Sequence, residues 1–388
     1  MAWPARVHRG EEARRRYGDL PDRLVPWLHE SDPLADEVVA SLAALPAAAR
    51  HDAIDAALAR PTRPQDQVWG ALLEQAVAVP AWTDWDAIHR AGVLFRRAGV
   101  FGGLVLGLRS LVYGYAAPAG NKPLALSGRL ETAGPHRLAE TGRFVHAVSA
   151  PGGMRVGAEG WRTTLKVRLM HAQVRRLALR SPRYDVPAWG LPINQHDMLS
   201  TILLFSTVFT EGLELLGLRV TAAEKEDYIQ LWRLVAHVIG VDATLIPARE
   251  SEARRFAEVI LLTQGPPDED ARALTRALLE GPLRAAKGGD PRAVALAQIH
   301  HKIAAGICRV LVGDTLADGL GVTDDAWRWL TPSLRPWVRA VDRLRPRSVL
   351  LRALAESLGD AYWDTAVRTG LGGVAPRFEL PARLLRAH

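Results

Sequence analysis

The run from Trp161 to Arg176, WRTTLKVRLMHAQVRR, decides the fold. Its apolar residues Leu165, Val167, Leu169, Met170, Ala172 and Val174 recur at helical spacing and cover more than one face, which predicts a helix buried on most sides. His171 lies near the middle, with Arg168 three residues before it and Arg175 four residues after, so all three share one stripe. An imidazole between two guanidinium groups on a buried helix needs a partner. A flat ligand that is coordinated at its centre and anionic at its rim would suit all three: haem, with iron on His171 and propionates near Arg168 and Arg175. The same pattern is also met by a histidine hydrogen-bonded inside a helical core, with the arginine stems reaching outward. Spacing alone leaves both open.

Working outward, no segment alternates with period two for long enough to make a sheet, whereas helix boundaries recur. Asp32-Pro33 opens a helix over 34–45, and Pro61 to Pro64 closes one over 47–60. Helices are expected over 84–95 and 102–115, before the loop Ala117-Pro118-Ala119-Gly120-Asn121. Gly134-Pro135 starts a helix that Pro151-Gly152-Gly153 ends. Asn194 caps one running to Leu216, and Thr221 with Glu224 forms a capping box for the next, to Gly240. Further helices are expected over 249–264, 269–280, 291–316, 332–344 and 348–363. The expected architecture is an all-α bundle, with residues 1–90 as an N-terminal helical subregion packed on a main domain of 91–388.

Composition removes several classes. With 48% apolar residues among 388, the chain can bury a sizeable core. Its net charge of +7 is spread along the sequence as arginine, without a zinc-ligand spacing, an RNA-binding aromatic signature or a basic arm, so no nucleic-acid partner is expected. Contact with acidic lipids is most plausible along Arg335 to Arg352. The single cysteine, Cys308, excludes a disulfide framework and a cysteine-held cluster. The apolar stretches 93–115 and 198–218 are interrupted by Arg96, Arg97 and Arg109 and by Glu211 and Glu214, which suits core helices better than membrane spans. No secretory signal is visible at the N-terminus, which points to a cytoplasmic protein. There is no nucleophile–base constellation for hydrolysis and no glycine-rich phosphate loop.

Three stretches carry a family resemblance: RLAETGRFV (Arg137 to Val145), KVRLMHAQVR (Lys166 to Arg175) and GLPINQHDMLSTILLFS (Gly190 to Ser206). In this order they resemble the catalytic domain shared by rubber oxygenases (latex clearing proteins) and the mycophenolic-acid pathway oxygenase, most clearly from about Phe95 to Pro247. The resemblance implies a globin-like helical bundle holding one b-type haem, with His171 as the proximal iron ligand. It also makes the 135–148 helix the distal wall, where Arg137, Thr141, Phe144, Val145 and Val148 share a stripe with Glu140 at its edge.

Arg137 and Thr141 match the family's arginine–threonine frame, whereas Glu140 stands where the family has a lysine. A carboxylate ligates iron less readily than an amine and suits an acid–base or anchoring role. The family's distal glutamate has no evident counterpart, since Ala119-Gly120-Asn121 holds no carboxylate. Ordinary structural roles compete with these: an ion pair for Glu140, and a hydroxyl bonded to the preceding turn for Thr141. Among other histidines, His237 suits a satisfied core position, His196 the first turn of a helix, and adjacent His300 and His301 cannot chelate jointly. Trp161, Trp189 and Trp232 suit either a pocket wall or the core.

By resemblance the expected activity is oxidative attack by O₂ on a carbon–carbon double bond of a small apolar, isoprenoid-like substrate. Peroxide-driven haem chemistry is one alternative, and a non-catalytic helical haem- or lipid-binding protein is another.

Overall fold

The computed structural model describes residues 3–62, 67–126 and 134–370, without the side chains of 134–138, 367, 369 and 370. The described residues form helices and connecting turns with no strand. Capping chemistry sets many of the boundaries. Asp32 accepts from the Ala35 amide at 3.3 Å to open Pro33–Ser41, Asp84 accepts from Asp86 and Ala87 to open Trp85–Val105, and Asn194 accepts from Asp197 at 2.9 Å to open Gln195–Phe205. Thr221 and Glu224 form the expected capping box at the head of Ala222–Ile239.

Three expected boundaries are corrected. The segments 84–95 and 102–115 form one continuous run, Trp85–Val105 followed by a π-helical turn over Leu106–Ser110 and the helix Leu111–Ala116. This run bends at Gly99, where φ is 46° and a Cβ would press on the Gly359 backbone. The helix expected from Asn194 to Leu216 breaks at Ser206, whose hydroxyl bonds back to the Ile202 carbonyl at 2.8 Å, and resumes as Thr207–Leu216. Pro291–Val312 stops at Gly313, which has φ 85°. Helices Gly10–Tyr17 and Gln67–Val77 were not anticipated.

Packing runs through aromatic side chains. Trp232 stacks on Phe205 with centroids 5.2 Å apart and meets Phe144 edge-on at 6.2 Å. A second series passes from Tyr228 through Phe209 and Phe95 to Trp363, the last pair stacked at 4.7 Å. Trp363 belongs to the terminal helix Val349–Gly370, which lies against both Trp85–Val105 and Gly134–Ser149.

Two helical runs, Trp85–Ala116 and Gln195–Leu216, are long and apolar enough to cross a membrane, yet each is mostly buried in the fold. Their charges are paired internally. Arg97 donates to Glu224 at 2.6 Å, Arg109 to Glu211 at 3.0 Å, and Lys225 to Glu214 at 2.7 Å. A buried guanidinium with a carboxylate partner is what a core helix tolerates and a lipid-facing one does not.

Candidate functional site

The site is built on the helix Glu159–Leu179. Its start abuts the end of Gly134–Ser149: a Cβ on Gly160 would collide with the Ala147 carbonyl and Val148, so the two helices form a close hairpin.

His171 is half-buried, its Nδ1 is enclosed without a hydrogen-bond partner, and its ring makes no hydrogen bond among the described residues. Burial, reinforced by the Arg175 charge and opposed by Asp32, lowers its pKa from 6.5 to about 4. The imidazole is thus neutral, the form that binds a metal. His237 shows the contrast. Its Nε2 donates to the Gln75 and Ala78 carbonyls at 3.1 and 3.0 Å, and its Nδ1 faces the Gln75 amide at 3.4 Å. It is the satisfied core histidine the sequence suggested. His196 bonds Asp197, and His301 bonds the Leu279 carbonyl at 3.0 Å.

Arg168 and Arg175 require a correction. Both are buried on the expected stripe, but their Nη donors and Arg168 Nε are taken by protein oxygens and not by a cofactor rim, while Arg175 Nε is buried without a partner. Arg168 grips Asp32 through Nε at 2.6 Å and Nη2 at 2.9 Å, while Nη1 donates to Gln75 Oε1 at 2.6 Å. Arg175 donates to Asp36 at 2.5 Å and to the Ile193 carbonyl at 2.9 Å. Ile193 is a β-branched residue at φ 51°, a strained position that this bond helps hold. Bidentate and charge-assisted bonds of this kind fix a helix in place. Sequence reasoning missed Asp32, Asp36 and Gln75, which lie 136, 139 and 93 residues from their arginines. The only signal was that two arginines on a buried helix must find carboxylates.

On the neighbouring helix, Val145 and Val148 are buried, and Phe144 is turned into the core against Trp232, which places it in the packing of that wall. Thr141 is half-buried. Glu140 is half-buried and engaged. The side chain of Arg137 lies outside the described residues. Asn121, in the loop that lacks a carboxylate, is fully buried and bonds the Tyr115 carbonyl, and beside it Lys122 draws in Asp268 and Asp270 at 2.6 and 2.5 Å. Trp161 is buried with its indole N–H on the Ala76 carbonyl at 3.1 Å, which makes it core.

Among the described residues no group of three His, Cys, Asp or Glu side chains could hold a bare metal ion. A metal at His171 would need its remaining ligands from a macrocycle, and the unpartnered neutral imidazole fits that role; Arg168, held by Asp32, Gln75 and Val238, does not fit as a propionate anchor, whereas Arg175 keeps one buried donor, Nε, without a partner.

The family model for the ER-bound oxygenase mpaB/B'/rubber oxygenase catalytic domain matches residues 94–343. A rubber oxygenase of Streptomyces sp. (strain K30) is 27% identical over 263 residues, 65% of this chain and 62% of that protein, so the match spans less than two thirds of the relative. The structure of latex clearing protein LCP in the closed state aligns with a TM-score of 0.66 at 22% identity, covering 87% of this chain and 91% of that one. This last likeness is one of fold, an all-helical one.

Proposed function

The chain belongs to the ER-bound oxygenase mpaB/B'/rubber oxygenase catalytic-domain family, and from that footing we propose that it is a haem b-dependent oxygenase using O₂ on a small apolar, unsaturated substrate. The observation that carries the proposal is His171: a neutral imidazole without a hydrogen bond, on a helix pinned at both sides of it. Haem held by His171 would supply the redox chemistry for oxidation of a carbon–carbon double bond by O₂.

The chain's own residues then have separable tasks. Asp32 and Asp36 hold Arg168 and Arg175, and so fix the axis and rotation of the ligating helix. Thr141, on the 134–149 helix, donates a hydrogen bond from its hydroxyl to a polar atom of the bound ligands. The Glu140 carboxylate, beside it in sequence, is the acid–base group of that wall and takes or returns a proton. Val145 and Val148 with the Phe144–Trp232 pair keep the wall apolar and exclude water.

The test is turnover by the haem-loaded protein with a short unsaturated isoprenoid under O₂, following oxygen uptake and trapping carbonyl products as hydrazones. Oxygen-dependent carbonyl formation that is lost in His171→Ala is the expected result. Turnover supported by hydrogen peroxide and not by O₂ would replace it with peroxygenase chemistry, and a haem-loaded protein inert to both would leave a binding protein.

A further inference from the structure

The helix Leu330–Leu344 meets the body of the protein along one side only, where Val338 packs on the core, Arg335 donates to the Glu214 carbonyl at 3.3 Å, and Asp342 accepts from the Arg219 amide at 2.8 Å. On another side Leu334, Trp337, Val341 and Leu344 follow one another at three- and four-residue spacing and stand 50 to 73% exposed. The terminal helix repeats the arrangement. Gly359 and Trp363 face the body, while Leu350, Leu354 and Leu358 line the opposite side at 50 to 76% exposure. Single exposed apolar residues are ordinary on a surface; two successive helices carrying them in stripes are not.

Basic side chains accompany these stripes. The guanidinium groups of Arg339, Arg343, Arg347 and Arg352 are on exposed residues and make no ion pair or hydrogen bond among the described residues, whereas their neighbour Arg345 pairs with Asp342 at 2.9 Å. Apolar side chains, a tryptophan and unpaired guanidinium groups on one amphipathic surface match the chemistry of a helix lying at the boundary between lipid headgroups and acyl chains. A second copy of the chain across a two-fold axis would set these arginines against themselves, an arrangement that like-charge repulsion disfavours. At 15 residues, Leu330–Leu344 is too short to span a bilayer, which takes about 20.

We propose that the 330–358 surface docks the protein on an anionic lipid bilayer, with the leucine and tryptophan stripes sunk at the headgroup boundary and the arginines on lipid phosphates. Its test needs no turnover.

The experiment is co-sedimentation of the full-length protein with vesicles of phosphatidylcholine alone or mixed with phosphatidylglycerol. Binding to the anionic vesicles should be stronger by roughly tenfold or more and weaken with salt. Lipids brominated on the acyl chains should quench a tryptophan signal that Trp337→Phe lacks. Two variants, Trp337→Glu with Val341→Glu and Arg339→Glu with Arg343→Glu, should each lose most of the binding. All four positions are exposed, so an unchanged far-ultraviolet circular dichroism spectrum is expected and confirms the fold. A monomer that ignores both vesicle types, or vesicle binding untouched by either variant, would overturn the proposal. So would a dimer in sedimentation equilibrium that these substitutions disperse, which would make a second copy the occupant.

Discussion

His171 differs from His237 in having no hydrogen bond to surrender when a ligand arrives. Its pKa sets a pH window. A free imidazole titrates near 6.5, whereas burial and the Arg175 charge hold this one to about 4, so in the folded apo-protein the ring is neutral throughout the range above about pH 5. The unfolded chain therefore binds this proton more readily than the folded one. The contribution of His171 to apo-protein stability is complete above 6.5 and is lost as pH falls from there toward 4. Haemin titration of the apo-protein should give the same affinity at pH 5.5 and 7.5; an ordinary imidazole would lose roughly tenfold across that interval, and such a loss would show that the ring is not enclosed. Thr141 yields a second expectation. Thr141→Val should leave the haem spectrum intact and lower kcat about tenfold or more, because it removes a hydroxyl donor and no packing volume. Unchanged kcat would give Thr141 a purely structural place.

The helix that carries His171 is fixed by partners from the N-terminal subregion. Asp32→Ala would leave Arg168 buried beside only the Gln75 and Val238 oxygens, and urea denaturation should show a loss of about 3–5 kcal/mol. Replacing both members, Asp32→Leu with Arg168→Met, should recover most of that stability, since an apolar pair has no stranded charge. Gly240 sits over the same pair at φ 90°, where a Cβ would come within 2.5 Å of Arg168 Nε and Asp32 Oδ2. Gly240→Ala should therefore destabilise by at least about 1–2 kcal/mol.

These partners also mark the limit of what the sequence disclosed. Helix starts at Asp32, Asn194 and Thr221 were legible because a cap is local chemistry, complete within three residues. The bend at Gly99 was not, because the backbone packed against it, at Gly359, comes from far along the chain. The Arg168–His171–Arg175 stripe was legible as a helix face, but not the carboxylates that claim its arginines, because nothing local encodes a contact spanning more than a hundred residues.

Taken as a whole, the chain is an all-helical bundle in which both long apolar runs are interior, and its exposed apolar stripes lie on the two C-terminal helices. The terminal helix lies beyond the family match at residue 343, yet it supplies Trp363 to the stack on Phe95 and His146. Haem bound at His171 would stabilise the whole bundle by mass action, about 2.7 kcal/mol at a hundredfold excess over Kd, so the haem-loaded protein should melt above the apo-protein and His171→Ala should abolish the difference. The visible absorption spectrum of the purified protein, as isolated and after dithionite reduction, bears on His171 most directly. The wild type should show a Soret band that His171→Ala loses or strongly shifts. A wild-type protein that is colourless and refuses added haemin, or a Soret band indifferent to the substitution, would contradict His171 as the ligand of a haem oxygenase.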